Sequence, residues 1–329
     1  MFMNSSKMIM LMIMMLSTMF ILSMNSWIIS WMMMEINLFS FIPLMYNKNY
    51  LESESMMKYF FIQTICSIMM FMLIIMMWNW MLYKNIIFTM MNLCLLMKLG
   101  SAPFHYWYIQ IIESMNWFIF FFISTWQKIM PMIMLSYNFN LNLISISIYI
   151  NSLVSMMGSI NQTSIQKIMG YSSINQISWM MTSILLNNNM LNFYILTYMF
   201  MMMNICLMFY MFNIYNLNQM FNINNNLILS MVIFLSLGGL PPFMGFLLKW
   251  TLINYILLNN YFLMNIIMII SSLVILYVYL YMMYQFLMFN TFKMKWFLQI
   301  KNNKFTMINF NFLMMSLFNS LVMSIMYLM

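Results

Sequence analysis

The sequence predicts an all-α, polytopic membrane protein, a transmembrane helical bundle of about eleven helices built as two inverted five-helix repeats with broken helices. Composition is the first observation: of 329 residues, 65% are hydrophobic and 5% are charged, whereas soluble domains are about 25% charged. The second is length, since apolar stretches of roughly 17 to 25 residues, enough to cross a bilayer, recur along the chain. The third is a pair of similar glycine and proline interruptions.

Residue usage within each class adds a prediction about the gene. All 12 basic residues are lysine, all 4 acids are glutamate, and the chain has 55 methionines. This bias is typical of an A/T-rich gene in an organelle, and the methionines are interpreted as flexible apolar filling. Cys66, Cys94 and Cys206 lie in apolar stretches without C-x-x-C spacing, so we expect neither a disulfide framework nor a metal site.

Hydropathy places the helices in order along the chain. The predicted spans are 8–24, 27–45, 58–78, 81–101, 116–136, 141–159, 168–186, 191–212, 227–258, 262–288 and 306–328. The first span could pass for a signal peptide, but no small-residue cleavage site follows it. The ninth is too long for one straight helix and contains GGLPPF, so we expect two half-helices that meet at a break.

The predicted spans put the two ends of the chain on opposite faces of the membrane. One face receives the N-terminus and the connections near 46–57, 102–115, 160–167, 213–226 and 289–305. With them it receives Lys7, Lys48, Lys58, Lys167, Lys293, Lys295, Lys301 and Lys304, whereas the other face has only Lys84. By the positive-inside rule the lysine-rich face is the side of synthesis, which is the matrix for an organelle-encoded protein. The net charge of +8 is therefore mainly a topology signal, and lysines scattered over loops do not predict a nucleic-acid partner.

Four charged residues remain inside predicted spans: Glu35, Lys98, Lys128 and Lys249. A charge at mid-membrane costs about 2.5 to 3.5 kcal/mol on insertion scales, so such residues usually face a polar interior and mark an ion or proton path. Lys128 lies too deep in its span to snorkel easily, three residues before Pro131, and that proline frees a backbone carbonyl upstream. Three of the charges have a simpler alternative: Glu35 could be a protonated, hydrogen-bonded interface residue, and the amines of Lys98 and Lys249 could snorkel to the membrane surface.

The two interruptions form a pattern. LGSAPF at 99–104 and LGGLPPF at 237–243 share L-G-x-x-P-F apart from one inserted proline, and each lies beside an intramembrane lysine. Matching interruptions in two halves are typical of transporters built from repeats, with the path at the broken helices. We therefore predict a first repeat at 1–136, a second at 137–288, and a matrix-side loop with the last helix at 289–329. An odd number of spans per repeat makes the two repeats inverted relative to each other.

The first interruption carries the only histidine of the chain, His105. Gly100 and Pro103 end a helix close to Lys98 and leave carbonyls at membrane depth that need polar partners. An imidazole, whose ordinary pKa is about 6.5, can pass protons at physiological pH. His105 and Lys98 therefore predict a proton relay, and the alternative for His105 is an interfacial hydrogen-bonding residue.

Four blocks of the sequence carry a family resemblance. They are KLGSAPFHYW at 98–107, TWQKIMP at 125–131, NQTSIQKIMGYSSINQISWM at 161–180 and LSLGGLPPFMGFLLKW at 235–250. Together they resemble the subunit 2 family of mitochondrial NADH dehydrogenase, one of the antiporter-like membrane subunits of respiratory complex I. The blocks occur in the family's order and extend over nearly the whole chain, and the resemblance implies a form shortened at the N-terminus relative to bacterial relatives.

The resemblance also implies proton-path residues, one by one. The glutamate of an early span falls on Glu35, the lysine of K-L-G-x-A-P-F-H on Lys98, the lysine of T-W-Q-K on Lys128, the lysine of G-F-x-x-K-W on Lys249, and the histidine of the first block on His105. The four charges that the membrane cost singles out are thus the ones the family uses.

The chain departs from the family pattern at two places. Where members commonly read S-S-I-x-H-x-G-W-M, Gln176 stands in place of the histidine and Ser178 in place of the glycine. A usual Pro-Glu pair after the first block is Ile109-Gln110, although Glu113 keeps a later acid. Because glutamine cannot titrate, we expect a bound water at Gln176 instead of a histidine relay.

The implied function is a proton-translocating core subunit of the membrane arm of mitochondrial NADH:ubiquinone oxidoreductase, which couples quinone reduction to proton pumping. On this hypothesis Glu35 modulates Lys98 by ion pairing. Lys98 and Lys128 exchange a proton along a hydrated axis with His105 nearby, and Lys249 continues that axis. The sequence has no haem-ligand pair, no cluster-ligating cysteines and no G-x-G-x-x-G motif, so we expect no cofactor or metal on this chain, with FMN, iron–sulfur clusters and ubiquinone bound elsewhere in the complex.

The expected location is the mitochondrial inner membrane, as a multi-pass protein with its N-terminus on the matrix side. The implied partners are other membrane-arm subunits, including neighbouring antiporter-like subunits, and phospholipids, among them cardiolipin; no nucleic acid is expected.

Two alternative functions stay open. A free-standing cation/proton antiporter of the same fold would be active when purified alone. A structural spacer would tolerate neutral residues at 35, 98, 128 and 249, and the intact set of charges argues against it.

Overall fold

A computed structural model describes residues 5–46, 49–79, 84–186, 188–222, 227–241 and 243–290 of the chain. These residues form helices joined by short turns, and one isolated antiparallel β-bridge pairs Ser164 with Asn216. A helix satisfies its backbone polar groups within one segment, which is what a lipid environment requires. The predicted all-α, polytopic class is confirmed.

The helices follow one another with few interruptions. In chain order they are α1 (Ser5–Ser23), α2 (Trp27–Met45), α3 (Tyr50–Asn79), α4 (Lys84–Leu99), α5 (Tyr106–Ser114), α6 (Trp117–Phe121), α7 (Gln127–Tyr137), α8 (Leu141–Ser159), α9 (Ile165–Leu186), α10 (Asn188–Phe212), α11 (Leu227–Gly238), α12 (Met244–Leu258) and α13 (Phe262–Asn290). A π-helical turn, Phe122–Trp126, joins α6 to α7, and a 3₁₀ turn, Leu217–Asn222, follows α10. Within the described ranges, seven helical stretches are long and apolar enough to cross a membrane.

Most predicted spans correspond to helices, with three results to note. The break expected inside the ninth span is confirmed, because α11 ends at Gly238 and α12 begins at Met244. The connection expected at 102–115 is wrong in part, since α5 occupies most of it. Its apolar residues Ile109, Ile111 and Ile112 are buried, so a short helix packs against the protein there. The predicted last span, 306–328, lies outside the described residues.

The chain divides into two compact units, Met1–Asn151 and Ser152–Met329. In the first unit, α1 to α4 pack in chain order, α7 packs against α4 and α1, and α5 packs against α3. The division falls inside α8, later than the predicted repeat boundary at 136. Asn151 gives a reason, because its Oδ1 accepts a hydrogen bond from the backbone N–H of Ala102 (2.5 Å) and ties that part of α8 to the first unit. The repeats and their inversion stay predictions.

In the second unit, α9 packs against α10, α12 and α13. Nearly all of its side chains are buried, including a set of polar ones: Gln166, Ser172, Ser173, Asn175, Gln176, Ser178, Thr182 and Ser183. A helix surrounded by protein can carry polar groups that lipid would exclude, provided that they find partners. This burial explains why α9 is less apolar than its neighbours.

Candidate functional site

The first helix break positions Lys98 near the end of α4. Gly100 follows that helix with a left-handed φ of +67°, and the N–H of Ser101 donates to the carbonyl of Leu96 at 3.2 Å, a helix ending that glycine favours. A Cβ on Gly100 would lie 2.8 Å from the Cβ of Tyr108. Both the backbone conformation and the packing therefore require glycine at this position.

Lys98 itself is enclosed by protein, with 7% of its surface exposed. Its backbone carbonyl, in the last turn of α4, accepts a hydrogen bond from Nε2 of Gln63 on α3 (3.2 Å). This contact uses one of the carbonyls that a helix end leaves without an intrahelical donor. Burial of the side chain argues against the snorkelling alternative for Lys98.

Glu35, on α2, acts on Lys98 from a distance. The carboxylate interacts electrostatically with the amine of Lys98, but the predicted direct ion pair does not form. An ion pair does form on α3, where Lys58 lies 2.7 Å from Glu54. Oε1 of Glu35 is buried without a hydrogen-bond partner, so this oxygen is available to a water or a proton.

Lys128 is positioned by an irregular stretch of helix. The π-helical turn Phe122–Trp126 ends two residues before it, and Pro131 follows three residues after it. π-Turns are frequent at functional sites, and the proline leaves the carbonyl of Gln127 without its helical donor. Lys128 is 3% exposed, and its amine lies 5.0 Å from the centroid of the Tyr108 ring, within the range of a cation–π interaction.

A small cavity lies between the two lysines of the first unit. Both Lys98 and Lys128 line it, together with the polar side chains Asn37, Tyr59, Gln63, Tyr108 and Gln127. Its volume is about 30 Å³, and a buried water needs about 10–15 Å³ on this measure, so about two waters fit. The structure therefore brings two of the predicted intramembrane charges to one space that water can occupy.

Two amide side chains of this cavity were missed by the sequence reasoning. Nδ2 of Asn37 donates to Oε1 of Gln127 at 2.9 Å, and Nε2 of Gln127 lies 3.5 Å from Oδ1 of Asn37. The pair links α2 to α7 beside Lys128. Their position in the sequence could have identified them, because Asn37 stands two residues after Glu35 and Gln127 directly precedes Lys128.

His105 lies in the turn before α5, and it is not among the residues that line the cavity. Its Nδ1 is 3.2 Å from the carbonyl oxygen of Pro103, and its ring lies against Tyr106 with 4.5 Å between the centroids. The next residues, Trp107 and Tyr108, line the cavity instead. A proton-relay role for His105 stays a prediction.

The second unit places Lys249 against the other helix break. Its amine donates to the carbonyl of Gly238 at 2.9 Å and lies 6.0 Å from the centroid of the Trp179 ring. Gly239 has a left-handed φ of +80°, and a Cβ on it would lie 2.9 Å from Nζ of Lys249. The break thus supplies both an acceptor for the amine and the space for it, and the 7% exposure of Lys249 argues against snorkelling.

The two breaks share one backbone pattern, which corrects the predicted alignment. Gly100 and Gly239 are the left-handed residues, and after each the next N–H returns to the helix, from Ser101 and from Leu240, at 3.2 Å. Aligned on these glycines, both segments read G-x-x-P-F without a gap. The inserted proline is needed only when Gly100 is aligned with Gly238 instead of Gly239.

Gln176, which stands where the related family has a histidine, is buried on α9. Its Oε1 accepts a hydrogen bond from the hydroxyl of Tyr194 on α10. This oxygen of Gln176 thus has a protein partner, and the bound water expected at Gln176 stays a prediction. The neighbouring Asn175 accepts from the hydroxyl of Ser271 on α13 at 3.1 Å, so the polar groups of α9 serve to join helices of the second unit.

Comparisons with known proteins agree with one another. Residues 23–276 match the family described as NADH:quinone oxidoreductase/Mrp antiporter, transmembrane. The chain is 39% identical to NADH-ubiquinone oxidoreductase chain 2 of Anopheles gambiae over 98% of each chain. It is 40% identical to the same chain of Aedes aegypti over 94% of this chain and 95% of that one, and 34% identical to that of Locusta migratoria over 92% of each.

Solved structures share the fold at lower identity. A chain of respiratory complex I from Thermus thermophilus with bound aureothin has a TM-score of 0.77 at 17% identity, covering 86% of this chain and 71% of that chain. A chain of the Mrp complex from Dietzia sp. DQ12-45-1b has a TM-score of 0.73 at 13% identity, covering 84% of this chain and 59% of that chain. At these identities the likeness shows the fold.

Proposed function

The chain belongs to the NADH:quinone oxidoreductase/Mrp antiporter transmembrane family, and from this membership we propose that it is a proton-translocating, antiporter-like membrane subunit of respiratory complex I. The chain 2 relatives, which align with this chain from end to end, favour this function over that of a free-standing antiporter. The observation that carries the proton path is the cavity that Lys98 and Lys128 share.

In the first unit, a proton passes between the two amines through water. A charged lysine gives a proton to a cavity water as its N–H bond breaks, and the neutral lysine gains a proton as its own N–H bond forms. The charged form of Lys128 is stabilised by the face of Tyr108, 5.0 Å away. The amides of Asn37 and Gln127 line the same space and can orient the waters by hydrogen bonding.

Glu35 biases this exchange through its charge. An opposite charge nearby stabilises an ammonium group, so we propose that a charged Glu35 helps Lys98 to hold its proton. When the carboxylate gains a proton, that support is lost and the proton on Lys98 is released toward Lys128. Since no direct ion pair has to break, the bias changes without moving either side chain.

Lys249 is the corresponding amine of the second unit. The carbonyl of Gly238 accepts a hydrogen bond from it at 2.9 Å, and such a bond to a charged donor is stronger than one between neutral groups. We propose that Lys249 holds a proton against the break and releases it when this contact is lost. The carbonyl of Gly238 at the break is then the hydrogen-bond acceptor for the protonated amine of Lys249.

Redox chemistry belongs to other subunits in this proposal. One histidine cannot supply a bis-histidine haem, and three scattered cysteines are fewer than the four thiolates of an ordinary iron–sulfur cluster, so in this proposal FMN, the clusters and ubiquinone are bound elsewhere. The chain then contributes proton translocation to the NADH:ubiquinone reductase reaction of the whole assembly. Its partners are neighbouring membrane-arm subunits and phospholipids, cardiolipin among them.

We place the chain in the mitochondrial inner membrane with its N-terminus on the matrix side. The support is the lysine bias of the predicted loops, in which one face receives eight lysines and the other receives only Lys84. A membrane-impermeant label that reacts with an added N-terminal tag in intact mitochondria, without opening of the inner membrane, would contradict this orientation.

The test of the proton path is Lys128→Met in the assembled complex. Methionine keeps the length and apolar stem of lysine but cannot carry a proton, so coupled NADH:ubiquinone turnover should fall by about tenfold or more. NADH oxidation by an artificial acceptor at the flavin should stay at the parent rate, which controls for assembly. Full pumping in the variant would overturn the role of Lys128.

A further inference from the structure

The start of α3 holds a buried carboxylate that the proposed mechanism does not use. Glu52 is 3% exposed, whereas the side chain of Glu54 is 45% exposed and pairs with Lys58 at 2.7 Å. Oε1 of Glu52 accepts a hydrogen bond from Nδ2 of Asn49 at 3.2 Å, and Oε2 is buried without a partner. A buried, unpartnered carboxylate oxygen is costly unless it carries a proton or binds water.

The buried face of α3 is polar from Glu52 to the level of the cavity. Glu52, Tyr59 and Gln63 are spaced i, i+7 and i+11, so they lie in one row along the helix, and all three are buried. Tyr59 and Gln63 line the cavity between Lys98 and Lys128. Beyond Gln63 the buried side of α3 is mainly apolar, with Cys66, Met70 and Ile74 beside Ser67, so the most polar part of the row ends near the cavity.

This row joins one end of the first unit to the cavity. With a rise of about 1.5 Å per residue, Tyr59 lies about 10 Å and Gln63 about 16 Å along the axis from Glu52. Ser55, also buried, donates its hydroxyl to the carbonyl of Glu52 at 2.8 Å and keeps acceptor capacity for a water.

Glu52 lies at the same end of the first unit as the start of α1. The amine of Lys7, on α1, donates to the carbonyl of Tyr46 after α2 at 3.3 Å, and α3 begins at Tyr50. In the proposed orientation this end faces the matrix, which is the side from which a respiratory pump must take its protons.

We propose that Glu52 collects protons at this end of the first unit and delivers them along the polar face of α3 to the cavity of Lys98 and Lys128. The inference rests on the proposed function, because it names the group that supplies that site. Glu52 is in this sense a further catalytic residue of proton translocation, and its side chain is the first proton acceptor of the path.

The delivery step moves one proton and no electrons. A hydronium ion that enters from this end gives its proton to Oε2 of Glu52: one O–H bond of the hydronium breaks, a carboxyl O–H bond forms, and a water remains. The carboxyl O–H bond then breaks as a water beside Ser55 and Tyr59 accepts the proton. The chain of transfers ends when an N–H bond forms on a neutral lysine at the cavity, and Glu52 returns to its carboxylate form.

The experiment is Glu52→Gln in the assembled complex, measured in uncoupled membrane vesicles. Glutamine keeps the shape and can still accept from Asn49, but it cannot release a proton. We expect NADH:ubiquinone turnover to fall about tenfold, a low value for a positioned proton-transfer group, while NADH oxidation by an artificial acceptor is unchanged. Added formate, a small diffusible weak acid, should restore part of the turnover. Glu52→Asp should keep much of it.

Glu54→Gln is the matched control, because it removes an exposed carboxylate two residues away and should leave turnover at the parent rate. Parent turnover in Glu52→Gln overturns the proposal. So does an equal loss in both variants, which would mark a surface-charge effect, and so does a loss that neither formate nor aspartate relieves, which would mark a structural role. Full pumping in Lys128→Met would instead contradict the proposed function, which keeps the two failures distinct.

Discussion

Gly239 has no side chain, and this leaves the space that the amine of Lys249, the proposed proton carrier, occupies. In Gly239→Ala the new Cβ would lie 2.9 Å from Nζ of Lys249, and the left-handed backbone would cost alanine about 1–2 kcal/mol. We expect the amine to lose its contact with the carbonyl of Gly238 and coupled proton pumping to fall about tenfold, as small misplacements can cause. Dye-quench proton pumping in vesicles, normalised to artificial-acceptor NADH oxidation, measures this.

Gly238→Ala is the comparison for that variant. It retains the carbonyl that Lys249 uses, and its Cβ would lie 3.4 Å from Cγ of Leu276, an ordinary van der Waals distance. The loss should therefore be clearly smaller than in Gly239→Ala. Equal pumping in the two variants would show that the space beside the amine has no importance.

At the scale of residues, the sequence predicted the charges better than their partners. The cost of burying Lys98 and Lys128 is large enough to single them out, and both are buried at one cavity. Asn37 and Gln127 could not be selected in this way, because asparagine and glutamine are common in this chain and only tertiary contact separates the useful ones. The distance between Glu35 and Lys98 likewise depends on how α2 packs.

At the scale of elements, the irregular helix around Lys128 carries the next prediction. Pro131→Ala restores the N–H that can donate to the carbonyl of Gln127, and proline in a helix interior is about 3 kcal/mol less favourable than alanine. We expect the helix to become more stable while the carbonyl of Gln127, now bonded within the helix, is less available to water, so that pumping falls about threefold as one hydrogen-bond contribution is lost. Thermal unfolding of the complex and vesicle pumping measure the two effects.

Pro43→Ala provides the control for this variant. Pro43 also lies inside a helix, α2, but its side chain is exposed and does not line the cavity. The substitution should leave pumping at the parent rate. If Pro131→Ala pumps as well as Pro43→Ala does, the free carbonyl of Gln127 has no part in proton transfer.

Element by element, the breaks were predictable and two other features were not. Glycine and proline announce the break between α11 and α12 because they act on the backbone directly. The π-turn Phe122–Trp126 keeps the apolar composition of a regular helix, so hydropathy does not detect it. Hydropathy did not predict helix α5, because polar residues lower the mean hydropathy of this segment. Tertiary packing nevertheless folds it into a helix.

At the scale of the whole molecule, the prediction concerns assembly. After gentle solubilisation and native electrophoresis, this chain should migrate in a very large band that oxidises NADH in the gel, and mass spectrometry of that band checks it. Broad exposed apolar faces, as on α1 and α13, fit a chain covered by lipid and neighbouring subunits.

The same gel tests the free-standing alternative. A chain found alone or in a small inactive band would favour an independent cation/proton antiporter, and ion flux in liposomes would then be the decisive measurement. A matched sample solubilised in a harsh detergent controls for dissociation, because the chain should leave the large band there.

The small volume of the cavity between Lys98 and Lys128 limits how fast protons can leak back across the membrane. A pore filled by a standing column of water would conduct protons continuously and discharge the gradient. A cavity for about two waters no longer has a continuous hydrogen-bonded path once one of them leaves. Between turnovers it therefore does not conduct protons. Proton leak is then limited by the entry of one water. A substitution that enlarges the cavity without removing a polar contact, such as Leu38→Ala in its wall, should increase the leak and release the stored energy as heat.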